Sequence, residues 1–131
     1  QYAKSSAGAI GIMQVMPKTA YWILKRTKSK KVSKNYLYNK NMNIFLGSYY
    51  FKYLLKKKKS YVEAIASYNA GPTIVQKWRR FNNASEDAWI EFIPYSETRK
   101  YVKLVLEYSL VYDWILNKKN TIRVSQLINI N

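Results

Sequence analysis

Apolar and polar residues recur along this chain mostly at spacings of three and four, the period of an amphipathic helix, and the breaks fall at glycine and proline. Pro17 opens PKTAYWILKRTK, a helix-like run in which proline's missing N–H costs nothing in the first turn. Residues 27–40, TKSKKVSKNYLYNK, are polar and aperiodic and predict an exposed loop. NMNIFLGSYYFKYLLKKKK then places Ile44, Gly47, Ser48, Phe51 and Leu55 on one helical face. Gly47 within that face predicts another backbone passing close by. The lysines from Lys56 to Lys59 close the helix, where cations suit its dipole.

Ser60 to Glu63 has the S-x-x-E form of a capping box and opens YVEAIASYNA. Gly71 fits the left-handed position after that helix, and Pro72 begins a short one through Val75 and Trp78. AWIEFI ends at Pro94, and Ser96 reads as the N-cap of the longest helix, Glu97 to about Asn117. Its predicted apolar stripe is Tyr101, Leu104, Val105, Tyr108, Val111, Tyr112 and Ile115. The closing NTIRVSQLININ reads either as a docked tail or as a short strand. The prediction is a single all-α domain over residues 1–117 with a tail at 118–131.

Composition narrows the chemistry. The chain has 131 residues, enough for one core, and its 48% hydrophobic content argues against disorder. No apolar run reaches the roughly 18 residues of a membrane span. With no cysteine and no histidine, thiol nucleophiles, disulfides and the commonest metal ligand are excluded. No metal and no cofactor is expected, and acid–base work falls to seven carboxylates, the tyrosines or the lysines. The net charge of +16 would attract a polyanion such as nucleic acid, an anionic membrane or an acidic cell wall. It equally fits a lysine-rich solvated surface of AT-rich coding.

Most carboxylates read as structural. Glu63 is a cap, Glu97 stands in a first turn where Arg99 can pair with it, and Glu107 and Asp113 suit a solvent face. Glu91, flanked by apolar residues in WIEFIP, is ambiguous. Apolar surroundings would raise its pKa and make it an acid, or it hydrogen-bonds a ligand or backbone. SYNAG is two-sided in the same way: Tyr68 and Asn69 either finish a helix or project into a cleft. Aromatic residues at 16% would suit sugar stacking, although most such rings belong to cores.

SSAGAIGIMQVMPKTA, NIFLGSYY, ASYNAGP with Trp78, and DAWIEFIPYSETRKYV together resemble the catalytic domain of the soluble lytic transglycosylases, in that family's order and spacing. The resemblance runs from about Ser5 to about Tyr112 and implies a goose-type, lysozyme-like helical fold. It implies that Ser5, Gln14 and Met16 face a glycan-binding groove, that Tyr68 orients the catalytic acid beside Asn69, and that Glu91 contacts sugar. Glu97, Thr98 and Arg99 match a motif, ETR, of mainly structural role. The family's acid, a glutamate in a Glu-Ser pair, would stand about nine residues ahead of Ser5, roughly five before Gln1. The expectation is thus a domain lacking its first helix, and a chain inactive on its own.

The implied reaction uses one carboxyl as acid and then base. It protonates the oxygen joining N-acetylmuramic acid to N-acetylglucosamine, and the muramyl C6 hydroxyl then attacks C1 to give a 1,6-anhydro product without water. The implied partner is the peptidoglycan glycan strand, in the periplasm or cell envelope of a bacterium, met by a monomer. Two other readings stand beside it. One is a glycan-binding pseudoenzyme that keeps the groove without the acid. The other is a cationic helical protein on nucleic acid or an anionic membrane, whose binding would collapse with salt but which leaves the four motifs unexplained.

Overall fold

The computed structural model describes residues 3–28, 34–58, 60–80 and 84–117. Among the described residues six α-helices follow in order: α1 (Pro17–Arg26), α2 (Lys40–Lys58), α3 (Tyr61–Ala70), α4 (Pro72–Arg80), α5 (Glu86–Glu91) and α6 (Ser96–Asn117). Among the described residues, β structure is limited to isolated bridges joining Lys4 to Ile10 and Ile10 to Val15. The chain divides into two compact units, Gln1–Tyr53 and Leu54–Asn131, so the boundary falls within α2. The closing NTIRVSQLININ lies outside the described residues.

In the first unit, the glycine-containing segment before α1 is folded by its own backbone. Ile10 and Val15 exchange N–H···O bonds of 3.1 and 3.0 Å, and Gly11 N donates to Ala3 O at 2.8 Å. A buried asparagine completes it. Asn43, 1% exposed, donates from Nδ2 to the carbonyls of Ile10 and Leu37, both at 2.8 Å, and accepts from Met13 N at 2.8 Å. One amide thereby ties three backbone groups, Ile10 O, Leu37 O and Met13 N, together among apolar neighbours. It also explains Gly11. The backbone there has φ +79°, and a Cβ would lie 2.6 Å from Asn43 Cγ. The core around this segment is Ile10, Val15, Ala20, Ile23, Leu24, Leu37 and Leu46. Beside it, Arg26 lies over the rings of Trp22 and Tyr53 at 5.5 and 5.7 Å.

Three expectations need correction in phase or extent. Residues 34–38 are not exposed loop but a 3₁₀ turn, because Leu37, 2% exposed, is drawn into that core. The buried positions of α2 are Asn43, Leu46, Gly47 and Leu54, whereas Ile44 and Ser48 are exposed. In α6 the fully buried line is Thr98, Val102 and Leu106, while Leu104, Tyr108, Val111, Tyr112 and Ile115 lie exposed. The helical period was right in both, but α2 and α6 carry apolar residues on several faces, and packing selects among them.

The second unit packs α3 against α4 and α6, and α5 against α6. Ser60 Oγ accepts from Glu63 N at 3.1 Å, the first half of the predicted capping box. The Glu63 carboxylate goes elsewhere, to Arg79 Nε at 3.1 Å. Gly71 ends α3 at φ 92°, and its N–H donates to Ser67 O at 2.9 Å. Its ψ of 143° is extended rather than left-handed helical, a combination essentially reserved to glycine. Pro72 starts α4 as predicted, and Ser96 is the first residue of α6 rather than its cap.

Candidate functional site

The candidate residues Ser5, Gln14 and Met16 belong to the first unit. Ser5 closes a tight turn: its N–H donates to Ala9 O at 2.9 Å, and its Oγ accepts from Ala9 N at 3.0 Å. The hydroxyl proton has no acceptor among the described residues. Gln14 has φ 47° and is exposed, and its Nε2 folds back on Gly11 O at 2.8 Å. That bond turns the amide outward by its oxygen, an acceptor. Met16 is the extended residue that caps α1 through its backbone, and its side chain is exposed. The segment thus presents a donor, an acceptor and a thioether from a backbone held by Asn43.

Tyr68, Asn69 and Glu91 belong to the second unit. Tyr68 and Asn69 are in the last turn of α3, with the phenol partly buried and the amide exposed. Asn69 Oδ1 accepts from Thr98 Oγ1 at 2.6 Å. Glu91 ends α5 with a side chain 63% exposed, and its Oε1 meets Lys103 Nζ at 2.6 Å. The apolar surroundings on which the acid reading of Glu91 depended are therefore not there. Its sequence neighbours Trp89, Ile90 and Ile93 are buried, and the carboxylate points away from them. What remains is the other alternative, an exposed carboxylate that can accept from a ligand.

One stretch of α6 secures these groups. Thr98 holds Asn69, Lys103 holds Glu91, and Arg99 Nη1 donates to the carbonyls of Ile93 at 2.8 Å and Glu91 at 3.4 Å. Arg99 was expected to pair with Glu97, but it caps the end of α5 instead. A second basic residue fixes the start of α5. Arg79 bonds Glu63, donates to Ala84 O at 2.8 Å and lies 5.5 Å over the Trp89 ring. Burial pushes the Glu63 carboxyl up, against the pull of Arg79 and Lys58. Sequence reasoning missed Asn43, Lys103 and the individual use of Thr98. A polar residue inside an apolar helical run, as in NMNIFL, was the available signal for the first.

Comparison with known proteins places this arrangement. The family described as Transglycosylase SLT domain matches residues 1–90, and the Soluble lytic transglycosylase helical domain matches residues 92–120. The soluble lytic murein transglycosylase of Escherichia coli is 37% identical over 123 residues, 91% of this chain and 19% of that protein. The one from Salmonella typhimurium is 36% identical over 123 residues, again 91% of this chain and 19% of its own length. The chain therefore spans about a fifth of the curated relatives it matches. An inactive glutamate-to-glutamine mutant of the lytic transglycosylase Slt from Pseudomonas aeruginosa superposes with a TM-score of 0.85 at 34% identity, over 98% of this chain and 20% of that one. A 70-kDa soluble lytic transglycosylase complexed with bulgecin A gives a TM-score of 0.85 at 32% identity, over 98% of this chain and 21% of that one. The sequence motifs, the all-α lysozyme-like fold and these matches agree: the chain belongs to the soluble lytic transglycosylase family, as a transglycosylase SLT domain.

Proposed function

We propose that this chain supplies sugar-contacting surface to a peptidoglycan lytic transglycosylase. The enzyme cleaves the β-1,4 bond between N-acetylmuramic acid and N-acetylglucosamine and leaves a 1,6-anhydromuramyl end. The observation that carries the reading is the superposition of 98% of the chain on lytic transglycosylases at 34% identity. The groups that would touch sugar are Ser5, Gln14 and Met16 in one set, and Tyr68, Asn69 and Glu91 in the other. Their chemistry suits a glycan: hydroxyl and amide donors, amide and carboxylate acceptors, and a phenol, all of which pair with sugar hydroxyl and acetamido groups.

Ordinary glycosidases flank the scissile bond with two carboxylates. Of the described acids, Glu63 is engaged by Arg79 and Glu91 is exposed on Lys103. In the Pseudomonas relative, replacing one glutamate by glutamine goes with inactivity. The reading here is likewise a single-glutamate mechanism, with the acid in the Glu-Ser pair expected ahead of Ser5 and Tyr68 as its orienting partner. Without that glutamate the chain binds glycan strands and releases no anhydro product. Its place of action is the bacterial cell envelope, where the substrate lies.

Binding to purified sacculi tests this against a purely cationic attraction. The chain is expected to stay bound at a salt concentration that removes a polylysine control, and to be displaced by bulgecin A, the ligand in the complex of the 70-kDa relative. Elution with the polylysine, indifferent to bulgecin A, would contradict the proposal.

A further inference from the structure

Threonine in a helix commonly returns its hydroxyl to the carbonyl four residues back. Thr98 is the third residue of α6, so that carbonyl belongs to Pro94, ahead of the helix. Its hydroxyl instead crosses to α3 and donates to Asn69 Oδ1 at 2.6 Å. Thr98 is 1% exposed, while Asn69 is exposed at the end of α3. A buried donor thus holds one end of a surface amide.

We propose that Thr98 is a positioning residue for Asn69: it occupies the amide oxygen and so presents the NH2 group to the glycan. This rests on the glycan-binding function proposed above. The sugar atom received at this point is then an acceptor, the carbonyl oxygen of an acetamido group or a hydroxyl oxygen. The reversed amide would make Thr98 Oγ1 the acceptor and return its proton to the carbonyl four residues back, and in that arrangement Asn69→Asp would keep its affinity. Glu91 meets Lys103 of the same helix at 2.6 Å.

Two variants separate positioning from packing, because they move stability and binding in opposite directions. Thr98→Val keeps the buried shape and removes the hydroxyl; its melting temperature is expected to match or exceed that of the parent chain, since the abandoned Asn69 oxygen is reached by water. Thr98→Ser keeps the hydroxyl and deletes a buried methyl, so it melts lower. Titrated into the full chain, the β-1,4 tetramer of N-acetylglucosamine is expected to lose about tenfold in affinity with Thr98→Val and less than about twofold with Thr98→Ser. Asn69→Asp, which replaces the NH2 by an acceptor, is expected to lose at least as much. Equal affinity of Thr98→Val and the parent, or affinity that follows melting temperature, would overturn the proposal. If the parent chain binds no tetramer, the glycan reading itself falls. The nitrogen-15 order parameter of the Asn69 side-chain NH2 then judges the positioning alone: high in the parent and Thr98→Ser, lower in Thr98→Val. A low value in the parent, or an equal one in Thr98→Val, would overturn it.

Discussion

Replacing Gly11 by alanine tests how the glycine-containing segment is built. The backbone there has φ +79°, and the new Cβ would fall 2.6 Å from Asn43 Cγ. The left-handed conformation alone costs an alanine about 1–2 kcal/mol. The larger cost comes from displacing the Asn43 amide, which holds Ile10 O, Leu37 O and Met13 N at 2.8 Å each. A buried polar group left without a partner costs about 1–3 kcal/mol. Loss of even two of these bonds brings Gly11→Ala to about 4 kcal/mol, a large part of the 5–15 kcal/mol typical of a domain. Gly8 is the internal control. Its φ is +91°, but a Cβ there meets nothing within 4 Å, so Gly8→Ala should cost only the conformational 1–2 kcal/mol. Asn43→Ala vacates the space, so Gly11→Ala made in that background should also cost only about 1–2 kcal/mol. Denaturant unfolding of the parent, the single mutants and the double mutant gives the coupling directly, expected at about 2 kcal/mol. A Gly11→Ala cost equal to that of Gly8→Ala, or unchanged by Asn43→Ala, would refute the reasoning.

The phase of α6 predicts that Leu106→Ala destabilises by about 3 kcal/mol, whereas Tyr108→Ala and Val111→Ala, on the exposed side, stay within about 0.5 kcal/mol by the same denaturation assay. Ser67 is fully buried on α3, and its Oγ finds no hydrogen-bond partner among the described residues. Ser67→Ala should therefore raise stability by about 1 kcal/mol, and a loss of that size would show that the hydroxyl is bonded. Glu63 carries a raised pKa in the fold because burial outweighs Arg79, so the native state holds its proton more tightly than the unfolded chain. Its charging cost is absent below the ordinary carboxylate pKa and grows as pH rises through the raised one. Relative to Glu63→Gln, the parent chain should thus lose stability as pH rises above about 4.5, and a difference that is flat or rises with pH would contradict that assignment.

The ends of the elements were legible because they rest on local chemistry. Pro17, Gly71 and Pro72 act through their own backbones, and Ser60 caps Glu63 three residues away. The buried faces were not. α6 carries Tyr101, Val102, Leu104, Val105, Leu106, Tyr108, Val111 and Tyr112 within three turns, so several stripes fit the helical period and only the packed neighbours choose Val102 and Leu106. Glu91 misled for a related reason. Residues adjacent in a helix point about 100° apart, so apolar neighbours in sequence say little about the surroundings of a carboxylate in space. The candidate site was legible as motifs, and SYNAG and WIEFIP did hold surface polar groups at helix ends. What orients those groups was not, since Thr98 lies 29 residues from Asn69 and Asn43 lies 33 from Ile10.

The central claim is met most directly by mass spectrometry of the soluble products from purified sacculi. The chain is incubated alone, and in a form preceded by a segment that sets Glu-Ser about nine residues ahead of Ser5. The account predicts no release by the chain alone, and from the extended form muropeptides ending in 1,6-anhydro-N-acetylmuramic acid, one water lighter than hydrolysis products. Reducing N-acetylmuramic acid ends, or anhydro products from the chain alone, would contradict it.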